Sequence, residues 1–281
     1  VAGLAAAVAA GQGGEKMLLV EAEAELGGGL LSEPAEIEGL SAIAWRDRML
    51  AALSGLPNVT VMNRTMAFGF YDHQLVGLCE RVTDHLPPHQ RSGPRQRLWK
   101  VRTKRVILAT GAFERPIAFA GNDLPGVMLA SAAQTYALRY GVAPGQRVVV
   151  ATNNDSAYHA AFALHDAGVE IAAIIDSRGK GGDVVAGAAQ RGIRTIIDSA
   201  PIKAKGRRRV SGVVVANIAD GKARETIACD TILMSNGWNP AVHLHSQSGG
   251  SLAFNSSLEA FLPSKSAQAA VDVGAAAGIF D

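Results

Sequence analysis

The sequence predicts an α/β fold built from two tandem strand–helix–strand modules around parallel strands. Two segments carry the prediction. The run Val106-Ile107-Leu108-Ala109-Thr110-Gly111, with Pro116 beyond it, has the same plan as Thr231–Gly237, with Pro240 beyond. Each is an apolar stretch, then a small or polar residue, a glycine and a proline. Each follows a hairpin signal, and each hairpin follows a strand–helix–strand unit. A shared order of that length points to a repeated architecture. Unbroken apolar runs, as opposed to alternating ones, mark strands buried on both faces of a sheet.

The elements follow in order. Residues 3–10 are rich in Gly and Ala and predict a helix. Met17–Val20 predicts a strand ending at Glu21, and Gly27-Gly28-Gly29 a loop where backbone approaches something closely. Residues 41–55 fit an amphipathic helix ending near Gly55 and Pro57. Strands are expected at 59–71, 75–83 and 97–108, with a Pro-, Gly- and Arg-rich loop at 84–96. The second module begins with strand Arg147–Thr152, helix Ser156–Ala167 and strand Ile171–Asp176. A helix at 184–190, a strand at 193–197 and a hairpin at 210–218 and 224–230 lead into Thr231.

Composition narrows the class. Hydrophobic residues make up 48% and charged residues 19%, a balance that builds a real core. The 27 Lys and Arg against 25 Asp and Glu leave a charge of +2, which argues against nucleic acid or an anionic membrane as partner. The basic run Lys203–Arg209 reads as a solvated hairpin turn. The two cysteines, Cys79 and Cys229, form no CxxC pair, which excludes a thioredoxin-reductase-type active site. They read as inert thiols in a reducing cytoplasm. The first ten residues are apolar but too few to span a bilayer, and they lack the marks of a signal peptide. The chain opens at Val1 in the middle of a motif, so both ends are expected to be cut.

The dinucleotide fingerprint needs G-x-G-x-x-G between strand and helix, with an acidic residue about 20 positions on. Gly3 is placed as the third glycine, the one that lets helix and strand pack closely. Glu21 is placed as the carboxylate that accepts from ribose hydroxyls. The first two glycines would precede Val1, so this is half a fingerprint, and a bare Ala-rich helix is its plain alternative. Thr110 and Gly111 strengthen it, because such an element belongs to flavoproteins with two dinucleotide-binding domains. Glu21 would repel a 2′-phosphate, and Ala22 and Glu23 offer no basic partner. The ligand expected is therefore NAD or FAD, not NADP. In the second module Asn153-Asn154-Asp155-Ser156 stands where glycines would, and Asp155 would repel a pyrophosphate. That site reads as a relic, although Asn and Ser donors could keep it alive. Asp176 ends the next strand much as Glu21 ends the first. His243 and His245 form an H-x-H, but no Cys or acid lies nearby in sequence, so a hydrogen-bonded structural loop is expected there and not a metal site. No nucleophile–His–acid set supports hydrolase chemistry.

Longer segments carry a family resemblance. "VEAEAELGG" (20–28), "YDH" (71–73), "ERVTDHLP" (80–87), "PRQRLWKVR" (94–102), "VILATGAFERP" (106–116), "AGNDLPGVMLASAAQTYALRYGVAPG" (120–145), "TNNDSAY" (152–158) and "GWNPAVHLHSQSGG" (237–250) together resemble the alpha subunit of heterotetrameric sarcosine oxidases. The resemblance implies two Rossmann-like dinucleotide-binding domains of the FAD/NAD(P)-linked reductase type, the second inserted in the first and the whole truncated at both ends. Residues 1–118 with 238–281 would form the split first domain, and 119–237 the inserted one. The absent first strand would leave this piece marginal as a free protein. NAD is implied in the first domain, with contacts from Ala2, Glu21, Ala22, Glu23 and Gly29, and with Ala67 beside the adenine. The run Gly274-Ala275-Ala276-Ala277-Gly278 matches the family's closing turn. The sequence departs from the family's acidic pair, having Glu21-Ala22, and has Gly29 where the family can place Thr.

Beyond this segment, the resemblance implies FAD in a beta subunit, where sarcosine would become glycine and formaldehyde. FMN near the alpha–beta interface would yield hydrogen peroxide, and a C-terminal domain would handle tetrahydrofolate. Beta, gamma and delta subunits would be the partners, in the cytoplasm. A different reading is the FAD-binding subunit of an opine oxidase, an amino-acid dehydrogenase or a cyanide-forming glycine dehydrogenase. A third is that this region does no chemistry, holds NAD structurally and serves as a docking platform.

Overall fold

The structure, a computed structural model, describes residues 1–280. The chain forms two compact units. The first comprises Val1–Leu31, Ala35–Phe113 and Asn239–Asp281, and the second Ser32–Pro34 and Glu114–Trp238.

In the first unit, helix Ala2–Gln12 buries Leu4, Ala7, Val8 and Gly11, the spacing of one helical face. Gly11 lets the helix approach closely, since a Cβ would lie 2.6 Å from Val59 Cγ2 and 2.8 Å from Leu56 Cδ1. Strand Met17–Val20 follows and pairs parallel with Val59–Met62, Met17 opposite Val59 and Val20 opposite Met62. Between them helix Ala42–Ser54 starts at Ser41, whose hydroxyl accepts from the Ala44 N–H at 3.3 Å. Leu4, Val8, Leu26, Leu30, Trp45 and Leu53 share the core these elements enclose.

Two expected strands are each broken in two. The stretch 59–71 divides into Val59–Met62 and Thr65–Tyr71. Arg64 sits between them at φ +53, a left-handed backbone that no strand continues through. The turn lets the chain leave the parallel pair and enter an antiparallel sheet with Leu75–Arg81 and Gln96–Arg102. The stretch 97–108 breaks at Thr103, whose hydroxyl donates to the Arg105 carbonyl at 2.8 Å. The piece that remains, Val106–Leu108, is not buried on both faces. Among the described residues it pairs only with Ala270–Asp272, in parallel, and Ile107 is 40% exposed while Leu108 is buried.

The second unit holds a five-stranded parallel sheet in the order Val127–Leu129, Thr231–Ser235, Arg147–Thr152, Glu170–Asp176, Thr195–Ile196. Helices Ala130–Tyr140, Ser156–Asp166 and Gly182–Gln190 pack on one face against Val148, Val150, Ile174 and Leu233. An antiparallel sheet of Ser199–Gly206, Val210–Asn217 and Ala223–Ile227 covers the other, against Val149, Ala151, Ile175 and Ile232. Burial on both faces is why these strands read as continuous apolar runs. The basic run is not simply a turn. Lys203–Gly206 lies on the strand that opens the antiparallel sheet, with Ala204 turned inward and buried, and only Arg207–Arg209 makes the turn. Among the described residues no helix is long and apolar enough to cross a membrane.

Candidate dinucleotide site

The candidate site lies in the first unit, where the start of the opening helix meets the ends of two strands and the closing turn. Close approach is enforced by glycines. A Cβ on Gly3 would lie 3.0 Å from Ala109 Cβ, so the helix starts directly against the residue that follows strand Val106–Leu108. Gly274 begins the 3-10 turn Gly274–Ala277 at φ +63, and a Cβ there would lie 2.7 Å from Ala2 Cβ. Ala2, Gly3 and Gly274 are thus brought together. At Gly28 and Gly111, both with positive φ, a Cβ would meet nothing within 4 Å, so these backbones border open space. A cradle that is tight where elements meet and bare where backbone faces outward fits the pyrophosphate and ribose of a dinucleotide.

Glu21 caps strand Met17–Val20. Its N–H donates to the Met62 carbonyl at 2.9 Å, and its Oε1 accepts from the Glu23 N–H at 2.9 Å. The carboxylate is therefore held at the strand end, half-buried, where ribose hydroxyls could donate to it. Neighbouring elements hold the residues that follow. The Arg64 N–H donates to the Glu23 carbonyl at 2.8 Å, Asn63 Nδ2 to the Ala24 carbonyl at 3.1 Å, and Arg81 Nη2 to the Ala22 carbonyl at 2.6 Å. Gly29 is exposed within the turn Gly28–Leu31, and Arg46 Nε holds the Leu26 carbonyl at 2.7 Å just before it. Ala67 is half-buried on strand Thr65–Tyr71, opposite Leu78.

Thr110 is committed within the protein. Its hydroxyl donates to the Ala241 carbonyl at 2.8 Å, and the Ala241 N–H donates to the Gly111 carbonyl at 2.9 Å. Its role is to tie residues 110–111 to the returning chain. Ala275, in the closing turn, is half-buried. Two histidines expected in a loop lie instead on a short helix, His243–Gln247, and their rings have different surroundings. His243 is exposed and meets Phe113 edge-on at 5.6 Å. His245 is buried, with Nδ1 2.7 Å from Asp272 Oδ2 and Nε2 3.0 Å from the Ser251 carbonyl. Sequence reasoning missed this pair because Asp272 is remote in the chain. Among the described residues no group of three His, Cys, Asp or Glu side chains could hold a metal.

At the corresponding strand ends of the second unit the side chains bond to one another. Asn154 Nδ2 donates to Ser235, and Ser156 donates to Asn154 Oδ1 at 2.6 Å while accepting from Trp238 Nε1 at 2.9 Å. Asp176 is fully buried. It accepts from the Tyr158 hydroxyl at 2.8 Å and from Arg178, which also reaches Asp155 at 2.7 Å. Burial, then the bond to Asp176, pushes the Tyr158 hydroxyl well above the usual tyrosine range. The bond to Asp176 likewise raises Arg178. Cys229 is buried, and desolvation, then the charge of Asp230, pushes its thiol up to about 11, which keeps it protonated and unreactive.

The model of the family described as pyridine nucleotide-disulphide oxidoreductase matches residues 1–257. The chain is 40% identical over 261 residues to the sarcosine oxidase alpha subunit of Rhizobium meliloti (strain 1021), covering 92% of this chain and 26% of that one. It is 38% identical over 287 residues to the same-named subunit of Corynebacterium sp. (strain P-1), covering 100% and 30%. The chain thus spans between about a quarter and a third of the length of these relatives. An opine oxidase subunit of Agrobacterium tumefaciens (strain Ach5) is 31% identical over 63% of the chain and 35% of its own length. Among solved structures, T. acidophilum thioredoxin reductase matches with a TM-score of 0.72 at 16% identity, over 97% of this chain and 86% of that one.

Proposed function

Since the chain belongs to the pyridine nucleotide-disulphide oxidoreductase family, whose members bind FAD or NAD, we propose that its first unit is the NAD-holding part of an alpha subunit in a sarcosine-oxidising complex. The observation that carries the nucleotide reading is the meeting of Ala2, Gly3 and Gly274, with Glu21 held at the neighbouring strand end. Ala2, Gly274 and Ala275 would line the pyrophosphate, with Gly29 and Gly111 at its open sides. Glu21, Ala22 and Glu23 would take the adenosine ribose, and Ala67 would stand by the adenine. The second unit is proposed as a Rossmann-like companion without a nucleotide, because Arg178, Asp155 and Asp176 satisfy one another.

The 37–40% identity to chains named as sarcosine oxidase alpha subunits supports the parent activity. In that complex sarcosine, dioxygen and water would give glycine, formaldehyde and hydrogen peroxide. FAD and FMN carried by a beta subunit would supply the redox chemistry, and tetrahydrofolate would be handled by a further domain. Gamma and delta subunits would complete the assembly, in the cytoplasm. The residues of this chain would bind and orient the nucleotide, and the reading assigns them no catalytic step. The segment is then a nucleotide-stabilised platform for the flavin-bearing chain.

Sarcosine added anaerobically to the intact complex tests this. Flavin absorbance should bleach while no reduced-nicotinamide band appears. Growth of that band would overturn the platform reading. The similarity to the opine oxidase chain favours a second reading, an FAD-binding subunit that acts on an opine or amino acid. In that case the opine, and not sarcosine, would bleach the flavin.

A further inference from the structure

The fold places a guanidinium where the sequence offered no basic group. Ala22 and Glu23 follow the acidic strand end, and neither can meet a phosphate. Yet Arg81, at the end of strand Leu75–Arg81, reaches across and donates from Nη2 to the Ala22 carbonyl at 2.6 Å. Arg81 is exposed, and among the described residues its other guanidinium N–H groups have no partner. Arg64 is its neighbour. The Arg81 N–H donates to the Arg64 carbonyl at 2.9 Å, and the Arg64 N–H donates to the Glu23 carbonyl at 2.8 Å. Neither arginine has a carboxylate partner among the described residues. One cation, the Arg81 guanidinium, therefore lies beside the Glu21–Glu23 loop, which itself carries two carboxylates, Glu21 and Glu23.

We propose that Arg81 is a specificity residue of the dinucleotide site, an anchor for a 2′-phosphate that Glu21 holds closed. The inference rests on the reading of the first unit as an NAD site. A ribose hydroxyl can donate to the Glu21 carboxylate, whereas a 2′-phosphate can only be repelled by it. Glu21 is kept in place by the Glu23 N–H, so it cannot swing away at little cost. Arg81 is held one residue further on, and a guanidinium presents paired donors that match phosphate oxygens. With the carboxylate present the ribose end selects the unphosphorylated ligand. Without it the same loop is bordered by the Arg81 guanidinium, and selection turns toward NADP.

The test uses the full-length protein, freed of nucleotide and titrated calorimetrically with NAD and NADP. Wild type, Glu21→Ser, Glu21→Gln and the double variant Glu21→Ser/Arg81→Ala are compared, each checked by thermal unfolding. In Glu21→Ser, NAD should bind about tenfold more weakly and NADP about tenfold or more tightly than in wild type, the scale of one charge-assisted hydrogen bond. Arg81→Ala in that background should return NADP to the wild-type level. Glu21→Gln keeps the side-chain size and gives the same comparison if the serine variant fails to fold. No gain of NADP binding in a folded Glu21 variant, or a gain that survives loss of Arg81, would overturn the proposal. A wild-type protein that takes FAD and not NAD would overturn the reading of the site itself, and that result is visible before any variant is made.

Discussion

At the scale of single residues, Gly274 is the most constrained position of the cradle. Its φ of +63 disfavours any side chain, and the Cβ of even an alanine would stand 2.7 Å from Ala2. Gly274→Val should destabilise the first unit by about 2 kcal/mol, the order of a strained backbone position, and should sharply weaken nucleotide retention. Chemical denaturation and the nucleotide content of the purified variant read the two effects, and an unchanged nucleotide content would remove Gly274 from the site. Much at this scale was legible. Glu21 sits at the end of its strand because an apolar run followed by a carboxylate can end in few other ways, and Gly3 packs against Ala109. Thr110 was legible as a landmark and not in its role, since its hydroxyl partner, Ala241, is distant in the sequence. Arg81 was invisible, because strand register decides where its side chain arrives.

At the scale of elements, the buried pair of His245 and Asp272 joins the short helix His243–Gln247 to the strand that delivers the closing turn. The side chains are 1% and 5% exposed. Removing one member of such a pair leaves its partner buried without compensation, so His245→Ala should cost about 3 kcal/mol in unfolding free energy. A variant as stable as wild type by denaturant titration would show that the pair contributes little. The helix and its pairing were not legible, because local pattern showed only an H-x-H motif. Strands were legible where both faces are covered, as in Arg147–Thr152 and Thr231–Ser235. They were misjudged where turn chemistry hides inside an apolar stretch, at Asn63-Arg64 and at Thr103. Helix Ala130–Tyr140 went unread even though Gly141, at φ +65, marks its end. Strand Ser199–Gly206 was masked by its own basic residues, whose charges face out while Ala204 faces in.

At the scale of the whole molecule, a repeated order of elements was enough to reach an α/β fold of two tandem modules, and the family resemblance supplied its FAD/NAD(P)-linked reductase type. The family match over residues 1–257 and the likeness to a thioredoxin reductase agree with that fold. The repeat said little about what each half does, because similar strand ends have different surroundings. Glu21 lies at a cradle bordered by bare glycine backbone. Asp176, at the equivalent strand end, is buried and bonded by Tyr158 and Arg178. The central claim is that the first unit holds NAD while the flavins reside in other chains. The most direct test is to denature the intact native complex and separate what it releases by chromatography. The account predicts NAD together with free FAD, with FMN remaining attached to protein. FAD released without any NAD would contradict it and would make this domain the carrier of a working flavin.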